Sequence, residues 1–315
     1  MSVDFDDMDV LVTGGNGFIG SHLVTALAER GANVHVFSLN NNNIRDIPRV
    51  KFFRIDVRDF DAVRNAVKSI SPKKVFHLAA IVNVSRDMKD AWPIADVKIN
   101  GTLNMIRALE GTDYDCFINT GTCEEYGQNK PPFTEDMMPM PVSPYSASNA
   151  SATIMCKMLH DVNGLPLTTL RQFTCYGPGQ KPGMLIPYVI TSAIENKDIR
   201  LTGGEQKRDF NYVDDAVDSF LKAAVEKRAA GEIINIGTGK SHKIMDVVTS
   251  IIKISGSSSK PLFGTVPYRE QEIWDIRADI SKAESILGWK PATSLAEGLE
   301  RTIEWYGNFI EHNLK

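Results

Sequence analysis

The chain has 315 residues, 43% of them hydrophobic and 23% charged, which is the balance of a folded globular protein with room for a large core and fits neither disorder nor a fibre. A formal net charge of −4 and a pI near 5.9 offer no basic field to a nucleic-acid backbone, and no apolar run approaches bilayer-spanning length, so no nucleic-acid and no membrane partner is expected. The acidic opening Met1-Ser2-Val3-Asp4-Phe5-Asp6-Asp7 lacks the basic start and apolar centre of a secretory signal, so a cytoplasmic protein is expected, and Cys116, Cys123, Cys156 and Cys175, without metal or disulfide spacing, read as reduced thiols.

The apolar run Val10-Leu11-Val12 predicts a first strand, which stops in Thr13-Gly14-Gly15-Asn16-Gly17-Phe18-Ile19-Gly20. Glycines at such a stop let backbone approach phosphates, and the amides opening the next helix point at the negative charge. Apolar residues at Ile19, Leu23, Ala26 and Leu27 recur at helical spacing, the context in which this glycine pattern signals a dinucleotide pyrophosphate. Gly14, Gly17 and Gly20 are the expected contact positions. Further strands are expected over 33–37, 50–56, 74–80, 116–120 and 167–170, with helical patterns between them. That alternation implies an α/β fold with a parallel sheet, helices on both faces and ligands at the carboxyl ends of the strands. Beyond Phe173 the pattern loosens into Gly177-Pro178-Gly179 and Lys181-Pro182-Gly183, then later helices and an amphipathic terminal helix over 295–309, which reads as a second lobe. Residues 40–43 and 255–259 read as polar loops.

Nine segments together carry a resemblance to a known family. They are the glycine loop, Asp56-Val57-Arg58-Asp59, His77-Leu78-Ala79-Ala80, Asn100-Gly101-Thr102, Thr122-Cys123-Glu124-Glu125-Tyr126-Gly127, Ser143-Pro144-Tyr145, Tyr176-Gly177-Pro178-Gly179, the 208–215 run Arg-Asp-Phe-Asn-Tyr-Val-Asp-Asp, and Arg269-Glu270-Gln271-Glu272. Over nearly its whole length the chain resembles an extended short-chain dehydrogenase/reductase of the nucleotide-sugar epimerase and dehydratase kind. The resemblance implies a Rossmann-type doubly wound parallel sheet over 1–172, to which 205–240 returns, and a smaller C-terminal substrate-binding lobe from 173–204 and 241–315. It implies bound NAD, a nucleotide-diphosphate sugar as substrate, and a homodimer in which Ala147, Ala150, Ser151 and Ala152 allow close helix approach. The implied cofactor contacts are Gly14, Gly17, Phe18, Ile19, Gly20, Ser38, Asp56, Val57, Leu78, Ala79, Ala80, Asn100, Tyr145 and Asn149.

A phenol at Tyr145 beside a nicotinamide can take the proton of a sugar hydroxyl as hydride leaves the same carbon, and Thr122 can hydrogen-bond that hydroxyl. Such enzymes usually lower the tyrosine pKa with a lysine one helical turn on, but Asn149 stands there, able to hydrogen-bond a ribose but carrying no charge. Lys157 lies too far along the helix to substitute, and whether Lys98 or a loop lysine reaches depends on the fold. Next to Thr122, Glu124 is a candidate base for a C5 proton made acidic by a keto group at C4, and Cys123 a candidate acid for a departing hydroxyl. The alternatives are a helix-start carboxylate satisfied by backbone amides and a small buried thiol.

Arg208 and Arg269 match positions where the family clamps a nucleotide diphosphate, and Thr174 stands where an asparagine usually contacts it. Ser38 ends the second strand where an acid would accept both ribose hydroxyls of NAD, yet no arginine follows directly to favour a 2′-phosphate, so NAD is expected and NADP stays open. His77 and His22 read as structural. The sequence favours transient oxidation at sugar C4 followed by dehydration slightly over epimerisation. A 4-keto-sugar reductase using NAD(P)H is the second reading, and a catalytically impaired cofactor-binding homologue, suggested by Asn149 and Thr174, the third.

Overall fold

The computed structural model describes residues 4–313, so the opening Met1-Ser2-Val3 of the acidic segment lies outside the described residues. The first strand, β1 (Asp9–Thr13), is buried on both faces, as a central parallel strand must be, and feeds through the glycine loop into α1 (Phe18–Glu29). The chain continues through β2 (Asn33–Ser38), β3 (Val50–Arg54), α2 (Phe60–Ile70) and β4 (Lys74–His77). Next come α3 (Ala91–Ala95), a π-helical turn (Asp96–Asn100), α4 (Gly101–Ala108), β5 (Cys116–Thr122), α5 (Pro144–Asn163) and β6 (Leu167–Gln172). After β7 (Thr174–Tyr176), α6 (Leu185–Ile194), β8 (Ile199–Arg200), β9 (Lys207–Arg208), β10 (Phe210–Tyr212) and α7 (Val213–Val225), the strand β11 (Ile233–Ile236) returns to the main sheet. The remaining elements are β12 (His242–Lys243), α8 (Ile244–Ile254), β13 (Pro261–Leu262), α9 (Ser281–Leu287) and α10 (Leu295–Asn313).

Seven parallel strands form one sheet in the order β11-β6-β5-β4-β1-β2-β3. The order reverses at β1, which has β2 on one side and β4 on the other, so the crevice for a ligand lies at the carboxyl ends of β1 and β4. One face is covered by Leu23, Val24 and Leu27 of α1 and Val217, Phe220 and Leu221 of α7; the other by Val63 and Val67 of α2, Met105 and Ile106 of α4 and Cys156 of α5.

Two expected strands end early, each for a local reason. The third stops at Arg54 because Asp56 turns to accept the Arg58 amide, and the fourth at His77 because its neighbour β1 ends at Thr13: the Leu78 amide makes the last ladder bond, to the Thr13 carbonyl at 3.0 Å, and the Ala79 amide turns to the Thr13 hydroxyl instead. A second apolar cluster joins Tyr176, Ile186, Val189, Ile244, Val248 and Leu299 of the expected smaller lobe, and with them Phe210, Tyr212 and Val213 from the 205–240 stretch that was expected to return to the sheet. Ala283, Leu287 and Trp289 pack instead in the sheet's own core, so α9 goes with the sheet although it falls inside 241–315.

Candidate active site

The glycine loop sits in the crevice. Gly14 has φ +69, and a Cβ there would meet Leu78 C and Ala79 N at 2.8 Å, so only glycine lets the loop lie against the segment leaving β4. Gly20 is as constrained, because its Cβ would come within 2.3 Å of the Gly14 carbonyl oxygen. Gly14 and Gly20 are therefore packing glycines, whereas Gly17, where a Cβ would approach only the Gly14 oxygen at 3.1 Å, keeps its outer side open at the start of α1. No side chain caps the first turn of α1, Phe18-Ile19-Gly20, so its amides stay available to an anion. A cradle that side chains would fill and uncapped helix amides fit a dinucleotide pyrophosphate.

Around the loop, Leu78, Ala79 and Ala80 form the partly buried wall beneath Gly14, with the Ala79 amide donating to Thr13 Oγ1 at 3.2 Å. Ser38 and Arg54 stand opposite each other at the carboxyl ends of β2 and β3, and Asp56 and Val57 follow. The Asp56 carboxylate is gripped by Arg58, which holds its pKa below the usual carboxylate range, and Val57 packs under Gly101. The polar 40–43 loop is pinned to the glycine loop, since Asn16 bonds Asn40 and accepts the Asn43 amide at 2.8 Å. His77 lies between Thr13 Oγ1 at 2.8 Å and Thr102 Oγ1 at 3.0 Å, and burial keeps it neutral. His22 bonds the Pro178 carbonyl at 2.9 Å.

At the end of β5 the chain turns sharply into a short 3₁₀ helix, Cys123–Tyr126. Thr122 is its N-cap: Thr122 Oγ1 accepts the Glu124 amide at 3.3 Å, and Glu125 Oε1 accepts the Thr122 amide at 2.9 Å. Glu125, not Glu124, is thus the helix-start carboxylate satisfied by backbone, and its other oxygen accepts Arg171 Nε at 2.8 Å, both side chains being at most 2% exposed. Glu124 is left with a buried carboxylate oxygen, Oε2, that has no partner among the described residues. Cys123 packs among Tyr126, Phe133, Phe173 and Ile276, and burial raises its thiol pKa far above the ordinary value, so its surroundings are those of a core thiol rather than of a proton donor.

Tyr145 is the second residue of α5, a helix opened by Ser143, whose hydroxyl accepts the Ser146 amide at 3.1 Å, and by Pro144. Helical side chains lean toward the N-terminus, which carries the Tyr145 phenol toward the Thr122 turn. Burial raises the phenol pKa well above that of free tyrosine, the Thr122 hydroxyl opposes the rise, and Cys123, Glu124 and Glu125 add to it. Asn149, buried one turn on, donates to the Tyr145 carbonyl at 2.9 Å. Thr122, Glu124, Tyr145 and Asn149 are therefore brought together.

Asn100 is not. It is exposed and bonds Asp96 at 2.9 Å, and the residue of that turn that points inward is Lys98, only 1% exposed. Arg208 is tied to Glu272 at 2.6 Å and to the Ile273 carbonyl at 2.7 Å, which anchors the 269–276 segment. Arg269 is exposed on that segment and makes no ion pair among the described residues; Thr174 is half-buried on β7. Arg86, whose guanidinium reaches the Gln271 carbonyl at 3.4 Å, joins the same rim and was not singled out by the sequence. Asp209 gathers the amides of Thr238, Gly239 and Ala278, and Asp215 those of Ala292 and Thr293, so the acids of the 208–215 run hold loops together.

A doubly wound sheet with a phosphate cradle at its switch point is the architecture of a dinucleotide-binding enzyme. The chain belongs to the NAD dependent epimerase/dehydratase family, whose sequence pattern matches residues 10–237. It is similar to UDP-glucuronate 4-epimerase of Thermodesulfobacterium geofontis, 32% identical over 316 aligned positions that cover 96% of this chain and 97% of that one. It is also similar to dTDP-glucose 4,6-dehydratase of Haemophilus influenzae, at 29% identity over 95% of this chain and 98% of the relative. Among solved structures, UDP-glucuronic acid 4-epimerase from Bacillus cereus in complex with UDP-glucuronic acid and NAD matches with TM-score 0.89 at 33% identity, covering 96% of this chain and 100% of that one. No helix among the described residues is long and apolar enough to cross a membrane.

Proposed function

We propose that the protein acts on a nucleotide-diphosphate sugar by transient oxidation at C4 and that elimination of water follows. The observation that supports elimination is the unpartnered, buried Glu124 Oε2 beside Thr122 and Tyr145. A carboxylate that only capped the helix would have spent both oxygens on the protein, as Glu125 does.

NAD held by the glycine loop and the α1 amides accepts and returns hydride when bound. Thr122 holds the C4 hydroxyl and Tyr145 accepts its proton. The keto group at C4 acidifies C5–H, and Glu124 takes that proton. The same carboxyl can hand it to the departing hydroxyl, so water leaves and the carboxylate is regenerated. Arg269 and Arg86 on the rim, with Arg208 fixing the segment between them, are placed to meet the diphosphate.

Of the small residues expected at a dimer contact, Ala150 and Ala152 are buried within the chain and Ala147 is exposed; the exposed face of α5 that Ala147 shares with Ile154, Met158 and Val162, at spacings of 7, 4 and 4, supports a homodimer through this helix. A second reading, plain C4 epimerisation, draws on the likeness to UDP-glucuronate 4-epimerase and needs no proton transfer at C5. UDP-glucuronate, UDP-glucose, UDP-N-acetylglucosamine and dTDP-glucose, incubated in deuterated water with parent and Glu124→Gln, test both. Elimination gives a product lacking one water, with no such product from Glu124→Gln. A product of unchanged mass and inverted C4, formed equally fast by Glu124→Gln, rejects it.

A further inference from the structure

Tyr145 is set among groups that oppose its ionisation, and Asn149 brings no charge to help. A cation is nevertheless buried against β5, the strand that ends at Thr122. Lys98 stands on the π-helical turn between α3 and α4, and its ammonium donates to Asn119 Oδ1 at 2.9 Å and to the Thr120 carbonyl at 2.6 Å. Both acceptors belong to β5, where it runs past its neighbour: β4 ends at His77, opposite Asn119, so the Thr120 carbonyl has no ladder partner on that side. Lys98 fills this gap beyond the end of β4, two residues before Thr122 and at the edge of the crevice.

The surroundings of Lys98 leave its charge uncompensated. His77 of β4 is neutral; Cys156 of α5 is a thiol pushed up to about 12 by burial; Glu125, from the turn after β5, is bound to Arg171 and the Thr122 amide. On its own turn Asp96 faces outward to Asn100 and Arg58, and Thr102 of α4 bonds the Lys98 carbonyl. Lys98 itself forms no ion pair among the described residues. Arg171 balances Glu125, and Lys98 is left as one net positive charge beneath the strand end. An unpaired buried ammonium is costly, and a neutral amide donor could serve Asn119 and the Thr120 carbonyl without that charge, so hydrogen bonding alone does not call for a lysine here.

We propose that Lys98 is a positioning residue for the reaction, supplying from beneath β5 the positive charge that position 149 lacks and so favouring the ionised form of Tyr145, while Asn149 orients the start of α5. The inference rests on the reading of Tyr145 as proton acceptor. Burial lowers the Lys98 pKa to about 8, so the charge is present at neutral pH and fades above it. The groups facing the phenol itself, Cys123, Glu124 and Glu125, all act in the opposite sense.

The test is the ultraviolet titration of tyrosinate in the NAD-bound protein, read as the difference between each protein and its Tyr145→Phe counterpart. In Lys98→Gln, which keeps a donor for the Thr120 carbonyl but no charge, the Tyr145 midpoint should rise by about half a unit or more, and adding Asn149→Lys should bring it back down. A midpoint in Lys98→Gln equal to the parent's overturns the proposal. If Lys98→Gln does not fold, the parent decides alone: a Tyr145 midpoint at or above the ~10 of free tyrosine overturns it, and one below sustains it. Turnover of whichever nucleotide sugar of the panel is accepted separates the two readings. Retained activity in Tyr145→Phe removes the acceptor role itself, whereas an inactive Tyr145→Phe with an unshifted Lys98→Gln removes only the role of Lys98.

Discussion

Removing the charge of Glu125 while keeping its shape is the sharpest perturbation of the site that leaves its outer surface untouched. Glu125→Gln still offers a carbonyl oxygen to the Thr122 amide, now at 2.9 Å from Oε1, but leaves Arg171 a buried cation whose Nε had its carboxylate at 2.8 Å. With an effective dielectric near 20, charge centres about 4 Å apart attract by about 4 kcal/mol, and breaking one side of a buried pair costs about 3–5 kcal/mol. The retained hydrogen bond places Glu125→Gln at the low end, near 3 kcal/mol. At about 2.1 cal/mol/K per residue the unfolding entropy of this chain is roughly 0.7 kcal/mol/K, so Tm should fall by about 4–5 °C. Thermal unfolding followed by circular dichroism measures it. The double variant Glu125→Gln/Arg171→Met, which removes both charges, should recover at least about 1 kcal/mol relative to the sum of the single effects. A Tm within 1 °C of the parent, or a coupling energy of zero, refutes the claim that the pair secures the Thr122 turn.

Other expectations follow from the same geometry. Gly17→Val should abolish NAD binding by calorimetry while leaving the fold intact, because its side chain would meet little protein beyond the Gly14 oxygen and project into the cradle; parent-like affinity would remove the glycine-loop assignment. Asp209→Ala should lower stability by about 3 kcal/mol in urea unfolding, since it strands the buried amide of Ala278 and the half-buried amides of Thr238 and Gly239; a loss under 1 kcal/mol would be too small for such a hub. The depressed pKa of Lys98 means that the unfolded chain binds the extra proton between pH 8 and 10.5, so its contribution to stability is present above that window and lost as pH falls through about 8. Urea unfolding of parent and Lys98→Met should therefore diverge in the parent's favour by about 2–3 kcal/mol between pH 7 and 10, and parallel pH dependences would contradict the burial of a titrating ammonium.

The sheet was legible because its strands obey a period the chain cannot hide: apolar runs at Val10-Leu11-Val12 and Val75-Phe76, each followed by a helical pattern, leave one topology class. The glycine loop was legible as a cofactor cradle, but the division of labour within it was not, since only the approach of Leu78 and Ala79 shows that Gly14 serves packing. The inward position of Lys98 was not legible because the turn Asp96–Asn100 is π-helical, which leaves Lys98 buried and Asn100 exposed beside Asp96. Arg208 looked like a free clamp because its partner Glu272 lies 64 residues away, a pairing that depends on tertiary contact. Two signals were present and unread: Thr122-Cys123-Glu124-Glu125 has the spacing of a capping box, and Arg171 is a charge inside a strand otherwise buried throughout.

On the proposed reading, adjacent glutamates with opposite fates keep one group free to react. A carboxylate has about four lone-pair sites, and in a buried setting each one filled by the protein favours the ion while removing it from chemistry. Glu125 fills its sites with the Thr122 amide and Arg171, which makes it rigid and fixes the direction in which β5 ends. Glu124, one residue earlier on the same 3₁₀ turn, points elsewhere and keeps an oxygen unmatched. The unmatched oxygen costs stability in the free protein, and the loss is recovered only when something with a proton to give occupies the site. A carboxylate held that way by a saturated neighbour is preorganised for proton abstraction, because it has no internal hydrogen bond to break before it acts.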